Sequence, residues 1–225
     1  MKFWTKVELE REFHIEASFY QLEVNNELYL CRNKARIVRR DTMVNSIVDA
    51  IVIMVNPGSC IPSVANTTPT LKRNFENAPF VKVHIDPTQQ QLMRLMKKMS
   101  WNHLTIINLS DLCAGNMTEF QSILKKVEAY PNHSIFSEER TDEREKVLNE
   151  SNRIILAWGQ NSLINPLACN ALEKLRGKEV YGMPGDKSFK YRHPFPFKKE
   201  SCIKWLQDIS KQVMDQDAFQ VKKII

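Results

Sequence analysis

Cysteine is sparse and unpaired in this sequence. Its five residues, Cys31, Cys60, Cys113, Cys169 and Cys202, form no C-x-x-C pair. An odd, scattered set argues for a reducing compartment and against a disulfide framework. It also argues against a four-cysteine zinc or iron–sulfur site. Spaced His or Cys ligands for another kind of metal site are lacking too, so neither metal nor cofactor is expected. No apolar run approaches the ~20 residues of a membrane span. The charged opening MKFWTKVELERE does not have the form of a signal peptide. A cytoplasmic monomer without membrane contact is expected. No repeat or low-complexity linker divides the chain. G-x-S-x-G and H-E-x-x-H are both absent. The stretch from Gly182 through Gly185 to Ser188 is too short for a P-loop and runs into prolines instead of a helix.

What is present fits one α/β domain over 1–225, with an N-terminal hairpin extension (1–45) and a core (46–215). The formal net charge of +6 and pI near 9.0 favour a polyanionic partner. Phe19, Leu22 and Val24, then Leu28 and Leu30, flank Asn25-Asn26 as two short strands around a turn. Lys34, Arg36, Arg39 and Arg40 follow. They read first as a solvated face, with phosphate contact as the alternative. The run from Asp49 to Val55 is apolar on both faces, as a central parallel strand is. It stops at Asn56-Pro57-Gly58-Ser59, which is a turn signal and also the place where ligands bind in open α/β sheets. Residues 59–82 read as a loop and a short helix, started by Thr67-Thr68-Pro69 with Leu71 and Phe75 on one face. Asp86 then caps a helix with Pro87 at its first position and Leu92, Leu95, Met96 and Met99 on one face.

Leu104 to Ile107, Arg153 to Trp158 and Glu179 to Tyr181 are further strand candidates, with helices expected over 116–130, 138–150, 166–175 and 201–214. This alternation predicts a three-layer α/β/α fold around a central, mostly parallel sheet. The strand ends then carry Asn56, Asn108, Gly159 to Ser162, and the stretch YGMPGDKSFKYRHPFPFKK. In that stretch Pro194 and Pro196 disfavour helix, so His193 is presented on a stiff extended loop. Lys187, Lys190, Arg192, Lys198 and Lys199 surround it, interleaved with Phe189, Tyr191, Phe195 and Phe197. Cations of this kind track phosphates, and aromatics stack on or wedge between bases. The other reading is a solvated basic loop with half-buried aromatics.

Four of these segments, in order, resemble the uracil-DNA glycosylase superfamily. Ile53 to Gly58 resembles the water-positioning I-N-P-G motif of its mismatch-specific thymine/uracil branch. Leu104 to Asn108 resembles the strand whose terminal Asn reads a flipped pyrimidine. Ile154 to Gly159 resembles its L-L-W-G-like strand, and His193-Pro194-Phe195-Pro196 its H-P-S-P segment. The stretch from Val55 to Pro194 is also similar to an uncharacterised bacterial domain-of-unknown-function family with N-P-S, A-W-G and H-P signatures. The resemblance covers roughly 47–210 and leaves the hairpin outside.

The resemblance implies a monofunctional DNA glycosylase that flips a pyrimidine out of the stack. Asn56 would orient a water and His193, neutral, would donate to the departing base. Val55, Gly58, Ser59, Asn108 and Trp158 would bind the base. Lys187, Lys190, Arg192, Phe195, Phe197, Lys198 and Lys199 would meet DNA. Gly58, Ser59 and Cys60 stand where uracil-specific enzymes carry an aromatic gate, which suggests 5-substituted pyrimidines and a role in defence against phage with modified DNA. Phe195 departs from the usual small Ser. The alternatives are a non-catalytic nucleic-acid or nucleotide-binding module of the same fold, and a hydrolase acting on free nucleosides.

Overall fold

Asn25 and Asn26 both adopt positive φ, 52° and 64°. A two-residue turn needs this backbone if its strands are to keep their right-handed twist. The turn joins β1 (Phe13–Val24) to β2 (Glu27–Arg39) in antiparallel register. A computed structural model describes residues 2–42, 47–58, 62 and 78–224, with side chains to 216. Helix α1 (Lys6–Glu12) precedes the hairpin. After it come β3 (Ala50–Met54), β4 (Phe80–Lys82), α2 (Pro87–Met99), β5 (His103–Asn108), α3 (Met117–Lys126), α4 (Thr141–Leu148), β6 (Ile154–Leu156), α5 (Asn165–Lys174), β7 (Val180–Tyr181) and α6 (Lys199–Ile224).

Local chemistry explains the best-defined boundaries. Gln89 N donates to the Asp86 carboxylate, Asp86 N donates to the Gln89 side chain, and Pro87 needs no partner in the first turn of α2. All five β3 side chains are buried, as its unbroken apolar run requires. The short helix expected from Thr67-Thr68-Pro69 lies outside the described residues. Phe80–Lys82, expected in that loop-and-helix segment, forms a strand instead.

The strands form one mixed sheet in the order β4-β1-β2-β5-β3-β6-β7. β3 pairs in parallel with β5 and β6, and β6 with β7. The other half corrects the mostly parallel expectation: β1 is antiparallel to β2 and β4, and β2 is antiparallel to β5. The hairpin is therefore part of the sheet. Its basic residues misled because their charges have partners. Arg36 lies opposite Glu16, 2.7 Å away, with its guanidinium over the Phe80 ring, and Arg39 pairs with Glu12.

The two sheet faces carry separate apolar cores. Ala50, Val52 and Met54 pack with Leu92 and Met96 of α2 and with Leu206 and Ile209 of α6. Ile51 and Ile53 belong to the opposite core with Phe120 of α3, Val147 of α4 and Ala168 of α5. Each large aliphatic side chain so buried contributes about 1.5–3 kcal/mol.

One buried cation organises the end of β5. Arg140 Nη1 donates to Asp111 Oδ2 at 2.5 Å and to the Asn132 carbonyl at 3.2 Å. Its Nε and Nη2 reach both Glu143 oxygens, at 2.8 and 3.1 Å, and Nη2 also reaches Asn33 Oδ1 at 3.0 Å. Tyr20 adds a hydroxyl donor to Asp111 at 3.0 Å. Burial still pushes the Asp111 carboxyl up to about 6, against the pull of Arg140. Asn33 is the extra residue of a β-bulge: Ser18 faces Lys34 and Phe19 faces Arg32, so Asn33 has no opposite number on β1.

Arg140→Met should therefore cost about 3–5 kcal/mol, the usual loss when one partner of a buried ionic group is removed. The stranded carboxylates gain stability by binding protons, so the deficit should narrow as pH falls from 7 towards 5. Denaturant melts of parent and variant at the two pH values test this. A small loss, or a deficit that does not change with pH, would show that Arg140 is not holding those carboxylates.

Candidate functional site

The parallel strands β5, β3, β6 and β7 end on one edge of the sheet, and the antiparallel β2 brings its first half there. The chain leaving β5 runs beside the exit of β3: Leu109 N donates to the Met54 carbonyl at 2.8 Å and Ser110 N to the Val55 carbonyl at 3.1 Å. Between these exits and the first turn of α2 is a cavity of about 100 Å3. Arg32, Val55, Asn56, Gly58, Gln89 and His193 are among its lining residues. Two residues expected to act together are thus brought to one cavity, although they lie far apart in sequence.

Asn56 is held by its nitrogen. Nδ2 donates to the carbonyls of Ala114 (3.0 Å) and Leu112 (3.4 Å). Two carbonyls fix which end of the amide is which. Among the described residues no donor reaches Oδ1, which stays available as an acceptor. Gly58 has φ +67°, and a Cβ there would meet nothing within 4 Å. The backbone favours glycine, while the space beside it is open. Ser59 lies outside the described residues.

His193 is held by Nδ1, which accepts from Phe195 N at 3.2 Å, while the Phe195 carbonyl is farther at 3.4 Å. This assigns the ring proton to Nε2. Burial lowers its pKa from the ordinary 6.5, partly offset by Phe195 and Asp86, so the ring is neutral at pH 7. The loop that presents it is clamped. Gly159 N donates to the Tyr191 carbonyl (2.8 Å), Arg192 N to the Met183 carbonyl (2.8 Å), and Trp205 Nε1 of α6 to the Arg192 carbonyl (3.2 Å). At Gly182 a Cβ would come within 2.4 Å of the Tyr191 ring, so the loop closes tightly on itself.

Within the described residues no group of three His, Cys, Asp or Glu is placed to hold a metal ion. No described helix is long and apolar enough to cross a membrane. A family model described as a protein of unknown function, DUF1643, matches residues 80–195, more than half of the chain. The chain belongs to this family. No curated protein and no solved structure matches it. The DUF1643 match contains Asn108 and His193, but Asn56 and Arg32 precede it.

Three expected roles change in this DUF1643 chain. Trp158 is only 2% exposed; its Nε1 donates to the Phe189 carbonyl and its ring meets Tyr191 edge-on at 5.3 Å. It supports the loop from the core and does not line the cavity. Lys190 is 7% exposed and sits 3.5 Å from Asp186, so its charge is spent inside the loop. Asn108 is fully buried and does not line the cavity; its carbonyl accepts from Arg32 Nη2 at 3.4 Å. It therefore meets the cleft through Arg32 and offers no amide edge of its own to a base there.

The outer rim matches the expectation better. Lys187, Arg192, Lys198 and Lys199 are exposed, although Lys199 leans 5.6 Å over the Phe3 ring. Phe195 is half-buried and meets Phe197 edge-on at 6.1 Å. Phe197 is 92% exposed at φ +53°, and Lys198 N closes back on the Pro196 carbonyl at 2.5 Å. This γ-turn geometry is uncommon and strained, and here it holds an aromatic ring out in solvent. Arg32 was missed by sequence reasoning. It opens the alternating run Arg32, Lys34, Arg36, whose spacing puts all three on one face, and the bulge at Asn33 that turns it to the other face has no sequence mark.

If Lys187, Arg192 and Lys198 face phosphates, changing all three to Gln should flatten the salt dependence of DNA binding by about one contact each, or about 3 in log–log slope. Lys190→Gln should leave that slope unchanged and lower the melting temperature. Binding isotherms over a salt series test both; an unchanged slope in the triple variant would remove this rim as the DNA surface.

Proposed function

We propose that this chain is a DNA glycosylase of the uracil-DNA glycosylase type, with a three-layer α/β/α core, that hydrolyses the N-glycosidic bond of a flipped pyrimidine. The observation that carries this reading is the pairing, on one cavity of single-ring scale, of an amide with a free carbonyl and a neutral imidazole with a free N–H. Bond cleavage builds positive charge on the sugar and negative charge on the leaving base. An oxocarbenium-like sugar needs from its nucleophile mainly position. Asn56 Oδ1 orients the water without acting as a base. His193 Nε2–H donates to the base oxygen that gains charge, as an oxyanion-hole donor does, and its neutrality means that the contact strengthens as the anion forms.

The cavity is small beside a nucleotide, so the base must leave the stack to enter it. The exposed cations and Phe197 form a rim suited to a polymer, which favours DNA over a free nucleoside. The open space at Gly58 suits a C5 substituent, consistent with excision of modified pyrimidines and with defence against phage carrying them.

Asn56→Ala and His193→Ala should bind substrate DNA nearly as the parent does while each slows base release by on the order of 10²–10³. Single-turnover release from duplexes carrying different pyrimidines, read as abasic sites after alkali, is the measurement. Parent-like cleavage by both variants would refute these roles. A parent that releases no base from any duplex would favour the non-catalytic binding module.

The reaction should also carry an acidic limb. His193 must be neutral, and its pKa is lowered, so release should persist below pH 6.5 and fall only as pH drops through the depressed value. A pH–rate profile tests this, and a rate that rises on acidification would instead make His193 a proton donor in its charged form.

A further inference from the structure

Arg32 differs from the other buried arginines of the chain. Arg140 has two carboxylates and two neutral acceptors. Arg94 donates to the Trp4 carbonyl at 2.9 Å and stacks over Phe3 at 3.9 Å. Arg144 donates to the Ser137 carbonyl at 2.9 Å. Arg32 is 3% exposed, yet among the described residues has only two side-chain hydrogen bonds, both at 3.4 Å and both to neutral carbonyl oxygens, of Pro57 and Asn108. Among the same residues its Nε has no partner, nor does Asn108 Nδ2 beside it. Among the described residues it has no ion pair. A guanidinium stays charged, and burying it with two marginal contacts is costly.

The fold directs this cation to the cleft. Without the bulge, strict alternation would place Arg32 on the opposite face from Ala35 and Ile37. With it, Arg32 lies opposite Phe19, on the α2 side of the sheet, and lines the cavity with Asn56, His193 and the carboxylate of Asp86, whose Oδ1 accepts from Gln89 N. Bulges of this kind re-aim a side chain next to a site. The cavity, about 100 Å3, holds a few waters at ~30 Å3 each, a single ring or a carboxylate, and not a nucleotide.

We propose that Arg32 is the anion-binding group of this cleft, taking the acceptor edge of a small planar monoanion; under the glycosylase reading, on which the ligand's identity rests, that anion is the departing pyrimidine. His193 and Arg32 then divide the leaving charge: the neutral donor meets one acceptor, and the fixed cation neutralises the ring. Bidentate acceptance suits guanidinium better than ammonium.

The test is isothermal titration of the parent, Arg32→Met, Arg32→Gln and Arg32→Lys with free uracil and, separately, with acetate. The titrations run from neutral to mildly alkaline pH, and melting temperatures are taken on the same samples. The parent should bind both probes, uracil more tightly as pH rises toward its ionisation. Arg32→Met and Arg32→Gln should weaken uracil binding about 10- to 100-fold and abolish its pH trend. Arg32→Lys should fall between. Removing a stranded charge should also leave the ligand-free melting temperature unchanged or raise it by a few degrees, the opposite of a structural role.

Parent-like uracil binding by both neutral variants, no binding of either probe by the parent, or a large loss of melting temperature in both neutral variants would overturn the proposal. Two outcomes separate it from the glycosylase reading. If the parent binds uracil through Arg32 but releases no base from DNA, the anion site stands and the glycosylase fails. If Arg32→Gln releases base at the parental rate, the anion site fails and the glycosylase stands.

Discussion

Arg140 is the group on which the rest of the arrangement leans. It bonds Asp111 just beyond β5, Glu143 in α4 and Asn33 in β2, three segments that no single strand or helix joins. Its hold on Asn33 fixes the bulge, and the bulge decides which way Arg32 points. Its hold on Asp111 fixes the chain that leaves β5 past Asn56. A buried ionic cluster is a poor source of net stability, because desolvation consumes most of the Coulomb gain. Its value here is positional: one guanidinium with donors in a fixed plane sets the mutual register of three segments.

The cleft beside it is economical in charge. Asn56 and His193 are neutral, and both are held by one end so that the other is free. The hairpin supplies the buried cation, and Asp86, which caps α2 through Oδ1, brings a carboxylate to the cavity wall near His193. The site lies where the antiparallel half of the sheet meets the parallel half, so each half brings residues the other could not. β3 and the 193 loop supply neutral hydrogen-bonding groups, and β2 supplies the cation.

Much of this was legible in the sequence because it is local. The β3 run, the Asp86-Pro87 start of α2, and the Asn25-Asn26 turn each depend on a few neighbouring residues, and all three stand as expected. The strand-end positions of Asn56 and His193 were likewise legible. The direction of the sheet was not: the alternating order of strands and helices after residue 46 implied parallel strands, and nothing local to residues 13–39 says that β2 docks on β5. Lys190 and Trp158 look like ligand groups in one dimension. Their burial is decided by Asp186, Phe189 and Tyr191, which reach them only after the loop has closed. Arg32 is the clearest case, because a single inserted residue reverses the face it occupies.

The mixed sheet also has a consequence in time. The hairpin closes through a two-residue turn, whereas the parallel ladder joins Ile51 to Thr105 and Ile51 to Ile154. Loop closure is a cost met before such distant pairs return anything, so they are the slow steps of assembly. By sequence separation the expected order is hairpin first, then β3 against β5, then β5 on the hairpin edge, and last β6 against β3. Arg32 thus waits in a half-built sheet, still hydrated, and gives up its water only when the last wall of the cleft arrives.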